Sequence, residues 1–244
     1  MTGDTSDFPI EASGQGVEPQ AEMSPDDRLA SALRGFGPIG ILAILVIVFA
    51  GVVPLLPLSA LLVLAWARWS RTPWREIGFV RPASWAGTLA VGILLGVTLK
   101  IFMKAIVMPL LGADPINQAF HYLAGNTAVL PLAVWTMIVL AGFGEETLFR
   151  GYLFERLGKL LGRGVWARPL IVLISSVLFA LAHYSLQGLS GVEQAAVTGV
   201  VFGTIFAATG RIWMLMIAHA AFDLTALAII YWDVETYVAH LVFK

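Results

Sequence analysis

The chain has 244 residues, 58% of them hydrophobic and 13% charged, with a net charge of −1 and no cysteine, and its mean hydropathy is +0.83. These values exclude an ordinary soluble domain, and nothing in the charge balance points to a nucleic-acid partner. Without cysteine there are no disulfides, no thiolate metal ligands and no cysteine nucleophile.

Residues 1–34 are rich in Gly, Pro, Ser and acids (Asp4, Asp7, Glu11, Glu18, Glu22, Asp26, Asp27). They hold too few apolar side chains to offset the entropy of ordering and are expected to form a disordered, solvated tail. No basic start with an immediate apolar run is present, so the first apolar segment is expected to stay in the mature protein as an anchor. Residues 35–244 then form a single transmembrane domain, an all-α, polytopic helix bundle. At roughly 20 residues per span the length accommodates about six to eight helices.

From Phe36 to Ala67 the chain carries no charge for 32 residues, and Pro54 and Pro57 interrupt it, which predicts two antiparallel helices with a tight turn. Further apolar segments cover about 85–111, 128–157, 169–185, 192–209 and 212–232, giving seven spans. Basic residues cluster in alternate connections: Arg68, Arg71, Arg75 and Arg81, then Arg156, Lys159, Arg163 and Arg168, then Arg211. By the positive-inside rule these loops and the N-terminus are cytoplasmic. The stretch Trp74-Arg-Glu-Ile-Gly-Phe reads as an interfacial anchor. Lys100 and Lys104 fall within the third span and are expected to snorkel to the interface.

Ionisable groups at membrane depth cost roughly 2.5–3.5 kcal/mol each at a helix centre and are therefore candidates for function. The fourth segment places Glu145, Glu146 and Arg150 within six residues. At i and i+4, Glu146 and Arg150 can pair and lock the helix, while Glu145 points about 100° away, toward a hydrated cavity where it can serve as general base. The fifth segment carries Phe179 and His183, and the seventh His219 and Asp223, again at i and i+4. Phe179 is expected to pack beneath His183, and Asp223 to accept a hydrogen bond from His219. At 1.5 Å per residue, Glu145, His183 and His219 lie roughly 18, 21 and 10 Å from the cytoplasmic ends of their helices, compatible with one site inside the membrane. A purely structural polar network would use the same residues.

In order, Glu-Glu-x-x-x-Arg, Phe-x-x-x-His and His-x-x-x-Asp on successive apolar helices resemble the CAAX protease and bacteriocin-processing family of intramembrane endopeptidases, the group that includes the eukaryotic Rce-type prenyl protein proteases. The resemblance covers about residues 128–232. It implies a helical membrane bundle in which Glu145 and His183 activate water for attack on a peptide bond. His219 and Asp223 would stabilise the oxyanion, with Glu146, Arg150 and Phe179 in support. Asp223 stands where the family commonly has Asn, and since a carboxylate cannot donate a hydrogen bond, direct stabilisation falls to His219 and an orienting role to Asp223. The same residues admit a zinc site built from Glu145, His183, His219 and Asp223, with Glu146 as base, although no single-helix His-Glu-x-x-His is present. The substrate implied is a membrane-associated protein or peptide, prenylated or not. Two other classes use buried ionisable groups: a proton-coupled carrier, and a non-catalytic membrane scaffold or immunity protein.

Overall fold

A computed structural model describes residues 24–52, 57–162 and 164–243. Every regular element among them is helical. Helix α1, Pro25–Arg34, occupies the end of the segment expected to be a tail. The reason is local. The Ser24 hydroxyl accepts from Asp27 N at 3.2 Å, Pro25 opens the helix, Asp26 and Asp27 sit in its first turn, and Arg34 sits in its last. These complement the unsatisfied groups and dipole at each end. The rest of the expected tail, residues 1–23, lies outside the described residues.

Helices α2 (Pro38–Phe49) and α3 (Leu58–Trp69) are the two helices expected of this apolar run, and the tight turn expected between them lies outside the described residues. They are followed by α4 (Trp85–Leu110), α5 (Thr127–Leu161), α6 (Ala167–Ala182), α7 (Tyr184–Thr209), α8 (Trp213–Tyr231) and the short α9 (Glu235–Ala239). All seven apolar segments are thus helical, but they are not seven full spans. Among the described residues only α4, α5, α7 and α8 are long and apolar enough to cross a membrane, and α1 with α2, bent by 60°, makes a fifth at most. Helices α3 and α6, with 12 and 16 residues, fall short of the roughly 20 that a bilayer demands. Large apolar side chains still face outward along the bundle, Phe49, Leu89, Leu94 and Leu173 among them. The protein is an integral membrane protein of apolar helices.

Small residues set how closely the central helices approach. A Cβ on Gly96 of α4 would lie 2.2 Å from the Ala218 carbonyl oxygen of α8, and one on Gly142 of α5 would lie 2.9 Å from the Met216 carbonyl oxygen. Helices α4, α5 and α8 therefore meet backbone to backbone. Gly199 of α7 approaches Ser176 of α6 in the same way.

The basic connections gather at one end of the bundle. Arg34 Nη2 donates to the Arg71 carbonyl at 2.8 Å, Arg156 Nη1 to the Arg34 carbonyl at 2.9 Å, and Ile212 N to the Gly78 carbonyl at 3.0 Å. Within the interfacial stretch Ile77 is fully buried while Trp74 stays exposed, as an anchor half in the headgroup layer requires. At the other end the 112–126 connection closes over α8 and α9: Gly125 N bonds the Tyr231 carbonyl at 3.0 Å, and Asn117 N bonds Glu235 Oε1 at 2.9 Å.

Candidate active site

The two glutamates lie in an unusual piece of backbone. Thr136–Glu145 and Thr147–Tyr152 of α5 are π-helical, with the junction at Glu146. Such i→i+5 stretches are rare and collect at functional sites, because widening the turn redirects side chains. Here the result separates the two carboxylates as their spacing predicts.

Glu146 is wholly buried. Its Oε1 accepts from Arg150 Nη1 at 2.9 Å and from His219 Nδ1 at 2.7 Å. A carboxylate taken out of water persists only when paired and hydrogen-bonded, and this one holds two partners from two helices. The Arg150 guanidinium, 1% exposed, packs on the faces of Phe179 and Phe202, its carbon 4.4 and 5.7 Å from the ring centroids. The aromatic faces stand in for part of its lost hydration.

With Nδ1 fixed on Glu146, His219 turns its Nε2 toward Glu145 and Asp223, at 3.8 Å from Glu145 Oε2 and 3.7 Å from Asp223 Oδ2. Both are ion-pair separations rather than hydrogen bonds. The hydrogen bond expected between His219 and Asp223 is therefore replaced by one to Glu146, and Glu146 is the residue that orients the ring. The i,i+4 spacing of His219 and Asp223 puts them on one face, with 3.7 Å left between Nε2 and Oδ2. Glu146, the base expected of a zinc arrangement, is buried and bonded to Arg150 and His219.

His183 is reached differently. It ends α6, and its Nδ1 donates to the Phe179 carbonyl at 2.8 Å, closing the last turn and leaving Nε2 as the bare nitrogen. Phe179 packs against it as expected, with centroids 4.6 Å apart, and against His219 at 5.9 Å. Gly188, at φ +63°, then bends α7 and lets the chain turn back along the bundle.

Glu145, His183, His219 and Asp223 all line one cavity of about 210 Å³, with Phe179 in its wall. The Glu145 and Asp223 side chains are 35% and 26% exposed while Glu146 is buried, but Glu145 Oε2, the oxygen nearest His219, is itself inaccessible and without a hydrogen-bond partner among the described residues. For zinc the fit is poor. Among the described residues no three His, Asp or Glu side chains converge as a ligand set, although His183 and His219, held at Nδ1, each keep Nε2.

The sequence reading missed a cation in the same wall. Lys100 does not snorkel to the interface: it is 5% exposed, donates from Nζ to Gln194 Oε1 at 2.8 Å, and lines the cavity. Its neighbour Lys104 is half-buried, bonded to the Pro115 carbonyl at 2.5 Å and paired with Glu235 at 3.1 Å. The signal was available in the spacing. Gly92, Gly96 and Lys100 recur at i, i+4 and i+8, so a lysine on the glycine face must point into the bundle.

Residues 127–225 match a family model described as "Type II CAAX prenyl endopeptidase Rce1-like". Over 131 residues, 53% of the chain, the sequence is 28% identical to an "Uncharacterized 24.3 kDa protein" of Escherichia coli, and the chain spans 57% of that relative's length. No solved structure matches.

Proposed function

Since residues 127–225 carry a domain of the Rce1-like, type II CAAX prenyl endopeptidase family, we propose that this membrane protein is an endopeptidase that hydrolyses a peptide bond of a membrane-associated protein or peptide. One observation carries the reading: a histidine pinned at Nδ1 by a buried carboxylate presents Nε2 to a second, partly exposed carboxylate in a cavity that also holds His183.

In the proposed reaction a water in the cavity gives a proton to Glu145, with His183 Nε2 positioning it, while its oxygen bonds to the substrate carbonyl carbon. The carbonyl oxygen becomes an oxyanion beside His219. Because Nδ1 donates to Glu146, a proton on Nε2 makes the ring a cation, and Glu145 and Asp223 flank that charge. The C–N bond then breaks and the leaving amine takes the proton held by Glu145. Glu146, Arg150 and Phe179 act by holding His219 and His183 in place. Asp223 balances charge at Nε2 rather than orienting the ring. The basic end of the bundle, with the N-terminal helix docked on it, would face the cytoplasm. A prenylated C-terminus is one substrate of the proposed class. A zinc ion held by Glu145, His183 and His219 would require those side chains to move together, and no step above passes through it.

The test is cleavage of a membrane-peptide library by purified wild type and Glu145→Gln in detergent, each with and without chelator and zinc restoration. Loss of a positioned general base predicts a fall of about 10²–10⁴ in turnover with the fold retained. Undiminished cleavage by the variant would exclude Glu145 as the base. No cleavage by folded wild type would favour a scaffold, and loss on chelation with recovery on zinc would replace the water-activating pair by a metal centre. A proton-coupled carrier would instead show substrate flux that Glu145→Gln abolishes.

A further inference from the structure

A second cavity, of about 160 Å³, adjoins the first. The two share Lys100, Asn117, Gln187, Gln194, Ala226 and Ile230 in their walls, so Lys100 stands where they meet. Beyond it the lining is mixed, with Asn117, Gln118, Ser190 and Gln194 among aliphatic side chains such as Met108 and Ile229. Of the carboxylates there, Glu235 Oε1 accepts from Lys104 and from Asn117 N, while its Oε2 has no hydrogen-bond partner among the described residues, and Asp114 accepts from Ile116 N at 2.8 Å.

Lys100 is different. An ammonium has three donors, and Lys100 has one on Gln194 and its face on the Phe222 ring, 4.8 Å from the centroid. No carboxylate among the described residues pairs with it at ion-pair distance. A buried ammonium without a direct counter-ion is costly, and that cost falls when an anion enters. The site otherwise repels anions, since Glu145 and Asp223 face the same space.

We infer that Lys100 and the cavity beside it form a subsite for a carboxylate of the substrate. The carboxylate would come from the peptide's C-terminus or from an Asp or Glu side chain. The choice of ligand rests on the peptidase reading above; the subsite itself is a binding property and is testable without turnover. Lys100 would act through affinity and register, not in proton transfer.

The experiment measures binding of N-terminally fluorescein-labelled Ala/Leu heptapeptides to the full-length protein in detergent micelles, in the Glu145→Gln background so that nothing is cleaved. One peptide ends as the free acid, a second as the amide, and a third is amide-capped with Asp as its penultimate residue. A charge-assisted contact predicts about tenfold or more tighter binding of the free acid than of the amide, and loss of that preference in Lys100→Met. Tight binding of the Asp peptide would show that a side-chain carboxylate serves as well, and binding like the plain amide would assign the subsite to the C-terminus. Equal binding of acid and amide by the Lys100 protein, or an undiminished acid preference in Lys100→Met, overturns the inference. Should Lys100→Met fail to fold, Lys100→Arg keeps the cation and must keep the acid preference. Cleavage by the parent protein is followed in parallel: discrimination without cleavage sinks the peptidase reading alone, and cleavage without discrimination sinks the subsite alone.

Discussion

Helix α5 carries two buried carboxylate–arginine networks a few residues apart, and they are built to different standards. At its basic end Arg156 is saturated. Its Nε and Nη2 donate to Glu155 at 2.5 and 2.9 Å, its Nη1 donates to the Arg34 carbonyl, and its guanidinium lies 4.6 Å from the Trp66 ring. Lys159 adds a further pairing with Glu155. Toward the middle, Arg150 donates from Nη1 alone, and Nε, Nη2 and Glu146 Oε2 find no hydrogen-bond partner among the described residues. A buried Glu–Arg pair is therefore not itself the mark of a site. The saturated network fastens α1, α3 and α5 together, whereas the sparser one leaves Glu146 free to hold a histidine at a cavity edge.

Removing each arginine in turn should give the largest effects and separate the two roles. Arg150→Ala strands Glu146 in the interior, and Arg156→Ala strands Glu155. Breaking one partner of a buried pair costs about 3–5 kcal/mol, so both variants should melt well below wild type in detergent, followed by tryptophan fluorescence. Turnover per folded molecule should then diverge, with Arg150→Ala losing activity as His219 loses its anchor and Arg156→Ala keeping it. The double variant Glu146→Ala with Arg150→Ala should regain stability relative to Arg150→Ala but not activity. Equal loss of turnover in Arg150→Ala and Arg156→Ala would erase the distinction between fastening and site.

A smaller effect is expected from the glycines beside each network. Gly96→Ala would drive a methyl to 2.2 Å from the Ala218 carbonyl oxygen and 2.8 Å from the Ala221 Cβ, forcing α4 and α8 apart one turn from His219. Overpacking of this kind costs about 1–3 kcal/mol. Gly158→Ala, near the Arg156 network, meets open space on a regular helix and should stabilise by about 0.5–1 kcal/mol. Melting temperatures shifted in the same direction by both substitutions would mean that the backbone approach at Gly96 does not set the spacing.

Much of this arrangement was legible before any coordinates. The apolar segments fixed where helices run, and charged residues inside them picked out Glu145, Glu146, Arg150, His183, His219 and Asp223, because ionisable groups at depth need a reason to be there. Pairing of Glu146 with Arg150 and of Phe179 with His183 followed from i,i+4 spacing. Span count was not legible, since hydropathy marks apolar stretches but not where α3 and α6 stop short. Nor was the partner of His219. Spacing relates residues on one helix, whereas the 2.7 Å contact to Glu146 joins residues 73 apart and depends on the π-helical turns of α5 and on Gly142 admitting α8. Lys100 was misplaced because a lysine near a span end was allowed to reach the surface, while the glycines at 92 and 96 fixed its face inward.

The smallest expected effect is the most diagnostic for His219. If Asp223 oriented the ring, replacing it would release the histidine, and turnover would fall about 100-fold or more, as when the partner of a catalytic imidazole is lost. The 3.7 Å gap to Nε2 and the 2.7 Å bond from Nδ1 to Glu146 argue otherwise. Asp223→Asn removes a charge without changing shape, and the amide can donate to an oxyanion where the carboxylate could not. Turnover should therefore stay within about tenfold of wild type, a change of no more than about 1.4 kcal/mol in the barrier. Glu146→Gln, which weakens the acceptor at Nδ1 while keeping its shape, should cost more than Asp223→Asn in the same assay. The reverse ranking would return the orienting role to Asp223.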